Sequence, residues 1–159
     1  MIETAELLLR RAFEVFASDT GKNPSTTLRG GNAIDGYAEP EPYDPAIDAP
    51  TDTYLERYAL WGVAYLDAAS WRHYLPHLVA YGLRHLGSDP HMVVDALLSA
   101  LRPPDRVPPR LASLTEAQEA VVREFLELLA FGDEPSPYRD LAMQVLEEWW
   151  LPNALYRRP

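Results

Sequence analysis

The hydrophobic positions of this chain recur mostly at three- and four-residue spacing, and the longest such run organises the rest. Over residues 66–86, LDAASWRHYLPHLVAYGLRHL, the side chains of Leu75, Leu78, Val79, Gly82 and Leu86 line one side of a 3.6-residue helix. Asp67 stands where an N-cap would accept backbone N–H groups, ahead of a first turn of Ala68, Ala69 and Ser70. Pro76 falls inside the pattern, removing the N–H that would bond the Arg72 carbonyl and crowding that oxygen. The spacing therefore predicts one helix bent over residues 72–76. A split at Pro76 would leave Leu75 as the N-cap, among the poorest residues for that position.

Five further helices follow from the same period. Residues 1–17 put Ile2, Ala5, Leu9, Ala12, Phe13 and Phe16 on one stripe. A capping box of Thr53 and Glu56 opens a short helix ending near Gly62. Gly87 stops the central helix, and Ser88-Asp89-Pro90 starts another that buries Val93, Ala96, Leu97, Ala100 and Leu101. A second box, Thr115 with Gln118, opens residues 116–131 with Val121, Val122, Phe125, Leu128 and Leu129 inward. Ser136-Pro137 starts the last helix, which buries Leu141, Ala142, Val145 and Trp149 and ends at Pro152. No strand period is sustained, so the expected fold is all-α, one compact bundle of about six helices spanning residues 1–159.

Two stretches interrupt the helices. Residues 18–52 read as a long irregular loop. Within it, residues 26–29 and 32–34 could pair as a short β-hairpin across Gly30-Gly31. Beyond that, residues 36–52 carry Pro40, Pro42, Pro45 and Pro50 among five acidic residues and no basic one, an extended segment docked through Tyr37, Tyr43 and Ile47. Residues 102–111, RPPDRVPPRL, read as a stiff exposed connector.

Composition narrows the class of function. With 47% hydrophobic and 24% charged residues over 159 positions, the chain can bury a single core. Cysteine is absent, which excludes disulfides, thiolate nucleophiles and cysteine-ligated metal centres. The net charge of −10 argues against nucleic acid and anionic membrane as partners. Glu3 and Glu6 stand where a secretory signal would be positive, and no run approaches ~20 uncharged apolar residues, so a cytoplasmic location is the expectation.

At this point LDAASWRHYLPHLVAYGL resembles the Leu-Ser-Pro-Glu-Ala-Phe-Arg-Tyr-Phe-Leu-Pro-type helix of an uncharacterised bacterial family, a domain of unknown function. LTEAQEAVVREFLELL is similar to that family's Leu-Thr-x-x-Gln and Val-x-x-Phe-Leu segment, and LAMQVLEEWW to its closing Leu-x-x-Trp helix. Asp67 stands at the family's Ser cap and Trp71 at its Phe, while Arg72, Leu75 and Pro76 match and His73 departs from an aromatic. The likeness touches most of the chain apart from the acidic proline-rich loop. It implies kinship and no activity.

Candidate chemistry is sparse. His73 and His77, four apart, share with Arg84 the side of the central helix away from most of its apolar stripe, and such a pair can share a metal. His85, His91 or Asp95 would have to supply a third ligand. The Glu of a His-Glu-x-x-His site is missing and Pro76 disturbs the register, so neither a metal nor another cofactor is expected. Arg29-Gly30-Gly31-Asn32 is a turn without the Gly-Lys-Ser/Thr of a phosphate loop, and adjacent Glu147 and Glu148 point to different sides of a helix. Proline spacing in the acidic loop replaces a calcium pattern.

The aromatic residues suggest something else. Trp71, Tyr74 and Tyr81 suit a core, but consecutive Trp149 and Trp150 cannot both face it, so one should approach the surface, where Trp beside Arg makes binding hot spots. The first expectation is a small helical interaction or regulatory domain, without catalysis, that meets a protein partner or a second copy of itself. Its binding surface would include Trp71, Arg72, His73, Tyr74, His77 and Trp150. The alternative is a small-molecule or metal-dependent enzyme using Arg72, His73 and His77.

Overall fold

The computed structural model describes residues 2–157, built among those residues from eight α-helices and no strand. In order they are α1 (Ile2–Val15), α2 (Ala17–Thr20), α3 (Leu28–Asp35), α4 (Asp52–Gly62), α5 (Ala68–Arg84), α6 (Met92–Ala100), α7 (Glu116–Phe131) and α8 (Arg139–Val145). Helix α4 runs on into a 3-10 turn (Val63–Tyr65), another 3-10 turn (Leu111–Ser113) precedes α7, and α8 continues into a π-helical turn (Leu146–Trp150). The Ile2 side chain, expected on the α1 stripe, lies outside the described set, as do residues 1, 158 and 159 of the expected domain. No helix of the described residues is long and apolar enough to cross a membrane.

Helix α5 is the axis of the core. The Asp67 carboxylate accepts the Ser70 N–H at 2.7 Å, capping the helix as its sequence predicts, and the helix then runs unbroken through Pro76. Leu75, Leu78 and Val79 are wholly buried. The opposite side of α5 is also covered, by α1 and α2, so the helix is enclosed rather than half-solvated. Gly82 is where α7 comes closest: a Cβ there would lie 2.7 Å from the Phe125 ring. Both halves of the α7 capping box form, Thr115 N–H to Gln118 Oε1 at 3.0 Å and Gln118 N–H to Thr115 Oγ1 at 3.1 Å. The Gln118 amide also donates to Val15 O and Asp19, tying α7 to α1 and α2.

Eight helices rather than six arise because the stretch read as irregular contains two. The expected hairpin over residues 25–34 is α3 instead. Thr27 Oγ1 accepts the Gly30 N–H at 2.8 Å as its cap, and buried Leu28 anchors it. Gly30 and Gly31, read as the turn between strands, lie inside that helix, where Gly31 lets the α3 backbone touch the end of α4.

Helix starts also shift. Thr51, not Thr53, caps α4, its Oγ1 accepting the Tyr54 N–H at 3.2 Å. Helix α6 begins beyond Ser88-Asp89-Pro90, after His91, which has no side-chain cap of its own. Its start is held from a distance: the Tyr138 hydroxyl accepts the His91 N–H at 2.7 Å. Ser136 Oγ accepts the Tyr138 N–H, so α8 starts two residues later than the Ser-Pro pair suggests.

Candidate functional site

The residues expected to form a binding surface along α5 are mostly interior. Trp71 and Tyr74 are wholly buried. Arg72 reaches across to two other segments, its Nε donating to Asp19 Oδ1 at 3.0 Å and its Nη1 to Ser113 Oγ at 2.8 Å. The His73 Nδ1 lies 3.2 Å from Asp19 O, and its ring packs edge-on against Tyr74. The His77 ring meets Phe13 of α1 edge-to-face at 5.0 Å. These polar side chains hold α2 and the Leu111–Ser113 turn against α5.

Burial, with smaller contributions from the His73 and Arg84 charges, lowers the His77 pKa to about 4. The ring is therefore neutral near pH 7. Because the unfolded chain takes up that proton near pH ~6.5 and the folded one resists it, His77 costs nothing above pH ~6.5. Below that, stability should fall by about 2 kcal/mol as pH drops to ~5, levelling off once pH passes ~4. His77→Phe, which keeps a ring against Phe13, should remove this part of the slope in urea melts run from pH 7.5 to 5. An unchanged slope in the variant would refute it.

His85 and His91, considered with His73 and His77 for a metal, gather elsewhere, at the carboxy-terminal end of α5, whereas Asp95 accepts from the Tyr138 hydroxyl at 3.3 Å. The Tyr81 and His85 rings stack at 4.0 Å, and the His85 and His91 rings lie 4.8 Å apart. Tyr81 donates to Glu56 Oε2 at 2.6 Å, while Asp52 accepts from His85 Nε2 at 2.9 Å and from Arg84 at 2.6 Å. Hydrogen bonding from His85, and after it from Arg84, holds the Asp52 pKa below the usual carboxylate range against the opposing effect of burial. Sequence spacing could not bring Asp52 and Glu56 to this cluster, because they belong to another helix. Among the described residues no group of three or more His, Asp or Glu is placed to hold a metal ion.

The carboxy-terminal segment corrects a second expectation. Trp149 and Trp150 are both buried, with 9% and 3% exposure. The segment is a π-helical turn closed by Leu151 N–H to Leu146 O at 3.1 Å, and its wider turn spreads successive side chains less than an α-helix does. Trp150 Nε1 also donates to Leu101 O at 2.9 Å, which satisfies the indole inside the core. Glu148 is buried and takes a two-pronged bond from Arg102 at 2.9 and 2.8 Å, whereas Glu147 is exposed.

Of the three residues expected to dock the acidic loop only Tyr43 is partly buried, and charge holds the segment as well. Tyr37 is fully exposed and Ile47 nearly half so. Asp48 is buried instead, accepting from Arg29 Nε at 3.1 Å, Arg29 Nη2 at 2.9 Å, the Tyr54 hydroxyl at 2.7 Å and the Asp44 N–H at 2.9 Å. Burial is the largest influence on Asp48 and would raise its pKa, but the Arg29, Asp44 and Tyr54 donors together hold it below the usual range. Arg29 also bonds Glu41 at 2.9 Å and Pro42 O at 3.3 Å, so one guanidinium gathers both ends of the loop.

The proline-rich connector is folded on one carboxylate. Asp105 accepts the backbone N–H groups of Arg106, Arg110, Leu111 and Ala112 at 2.8 to 2.9 Å. That turn drives Arg110 and Leu111 inward, so the connector is exposed only over part of its length.

On the outer side of α4 the large apolar side chains remain in solvent. Trp61 is 58% exposed, and Tyr65, one turn later, 41%. The Tyr65 hydroxyl donates to Asp35 at 2.8 Å, two residues before the exposed Tyr37. Exposed Val107 follows Arg106, which donates to Ala64 O beside the same two aromatics. None of these residues was singled out for binding by periodicity, which marks apolar faces and does not tell which one remains uncovered.

A family model described as a family of unknown function (DUF6714) matches residues 4–154, so the chain belongs to that family. No curated protein and no solved structure matches it.

Proposed function

We propose that this member of the family of unknown function is a small, cytoplasmic, non-catalytic interaction domain whose protein partner docks on the exposed ridge of Trp61, Tyr65, Tyr37 and Val107. The observation that carries this reading is Trp61, more than half exposed in a chain that buries its other three tryptophans or nearly so. Exposed Trp and Tyr beside charged residues, here Arg57, Asp35 and Arg106, have the makeup of binding hot spots. The ridge replaces the surface first expected around Trp71, Tyr74 and Trp150, which are committed to the core. An enzyme using Arg72, His73 and His77 draws less support, since Asp19 and Ser113 engage Arg72 and Phe13 covers His77.

The double variant Trp61→Ala, Tyr65→Ala tests the reading. Trp61 is more than half exposed and, among the described residues, the Tyr65 side chain hydrogen-bonds only to Asp35, so the variant should remain folded with a modest loss of stability. A partner captured from host lysate, purified and titrated, should bind the variant about 30-fold more weakly, the loss of at least ~2 kcal/mol expected of a hot spot. If the partner is a second copy, sedimentation should show a dimer that the variant abolishes. Unchanged affinity and unchanged assembly together would refute the reading.

A further inference from the structure

The connector and the facing sides of α4 and α6 border a half-open cavity of about 220 Å³, with Leu60, Val63 and Ala96 on its apolar wall and Asp95, Ser99, Arg106 and Arg110 among its polar lining. A smaller hollow of about 70 Å³ adjoins it and shares Ser99, Ala100, Arg106 and Arg110 with it. Arg110 is only 4% exposed, yet no carboxylate of the described residues pairs with its guanidinium. Its contacts are Val63 O at 3.4 Å, long for a hydrogen bond, and the face of Trp71 at 5.1 Å. Burial, with repulsion from Arg106, lowers the Arg110 pKa to about 10 despite the nearby Asp105 charge. Asp105 itself is occupied by four backbone N–H groups, and Arg102 by Glu148. Asp95 is approached by the Tyr138 hydroxyl at 3.3 Å.

A buried cation without a counter-charge is costly, and a bound anion would remove that cost. We propose that this cavity binds a small aliphatic carboxylate, with Arg110 and the rim residue Arg106 taking the carboxylate and Leu60, Val63 and Ala96 the hydrocarbon. Arginine suits the group because its planar donors match two carboxylate oxygens at once. Inorganic phosphate fits less well, because it would leave the apolar wall facing water and would bring more negative charge beside Asp95 than a carboxylate does. Ser99, common to both hollows, adds a hydroxyl donor. The site shares Arg106 with the edge of the aromatic ridge, but Arg110 belongs to the cavity alone and Trp61 to the ridge alone, so variants at those two positions tell the assignments apart.

Isovalerate, titrated into the whole protein and followed by calorimetry and ligand-observed NMR, is the first probe. One molecule should bind per chain saturably, and isovaleramide, of the same shape without the charge, should bind at least about tenfold more weakly. Arg110→Met and Arg106→Met should each weaken isovalerate by a similar factor. Arg106 is exposed, so its variant keeps the test usable if Arg110→Met fails to fold. Leucine binding more tightly than isovalerate would support the same site, with its ammonium at Asp95. The proposal is overturned if neither isovalerate nor leucine saturates below about 10 mM. Equal binding of the amide, or full affinity in folded Arg106→Met, would overturn it as well.

Discussion

Gly31→Ala should destabilise the protein by about 3 kcal/mol or more, although the same change inside a solvated helix normally stabilises it by up to ~1 kcal/mol. The reversal comes from the crossing of α3 and α4. A Cβ on Gly31 would be driven into the backbone carbonyl of Gly62, and one on Gly62 into the carbonyl of Leu28. Neither obstacle can rotate away, so relief requires the two helices to separate and uncover Leu28. Gly62→Ala should therefore match Gly31→Ala, and the pair together should cost less than the sum, because one separation relieves both clashes. Gly82→Ala is the control: its Cβ would meet the far end of the Phe125 ring, which can tilt, so its loss should be smaller. Thermal melts suffice, since 3 kcal/mol in a chain of this size is about 6–12 °C in Tm. Gly31→Ala as stable as wild type would mean that the helices do not touch there.

That crossing also marks the limit of what the sequence discloses. Helices α5 and α7 were legible because period, cap and buried face all lie within one local stretch, and α1 by its period alone. The Asp67 cap and the Thr115–Gln118 box both form their expected bonds. Helix α3 was not, because two adjacent glycines are a strong local sign of a turn, and the use of Gly31 here depends on Gly62, thirty-one residues away in another helix. Its one local trace was Thr27, a good cap standing two residues ahead of Arg29. The α6 start was missed for a similar reason, since Tyr138 of a distant segment fastens it at His91. Trp149 and Trp150 were misassigned because an α-helical period was applied to a π-helical turn. Among the candidate site residues, spacing puts His73 and His77 on the side of α5 away from its apolar stripe, but it could not show that α1, α2 and the Leu111–Ser113 turn lie against that helix.

Asp48 concentrates the same lesson into one side chain, and its removal should be as damaging as the glycine changes. In the sequence it is one of five acids in a proline-rich loop, with every appearance of solvated charge. In the fold it is the buried acceptor for Arg29, Tyr54 and the Asp44 N–H. Asp48→Ala leaves a largely buried guanidinium, a phenol and an amide without their acceptor, and loss of one partner from such a pair costs about 3–5 kcal/mol. Asp48→Asn keeps the shape and one acceptor oxygen but removes the charge, so its cost should be smaller. Since the carboxylate pKa is lowered in the folded state, the stabilisation is complete above the ordinary carboxylate range and fades as pH falls through the lowered value. Asp48→Ala should therefore be far less stable than wild type at pH 7, with the gap closing as pH falls below the ordinary carboxylate range. Because Arg29 also holds Glu41 and Pro42, the loop over residues 36–50 should loosen before the core does, and limited proteolysis should cut there first in the variant. Cleavage confined to other loops, with stability unchanged at pH 7, would mean that the Arg29–Asp48 pair does not fasten the loop and that its proline content alone sets its course.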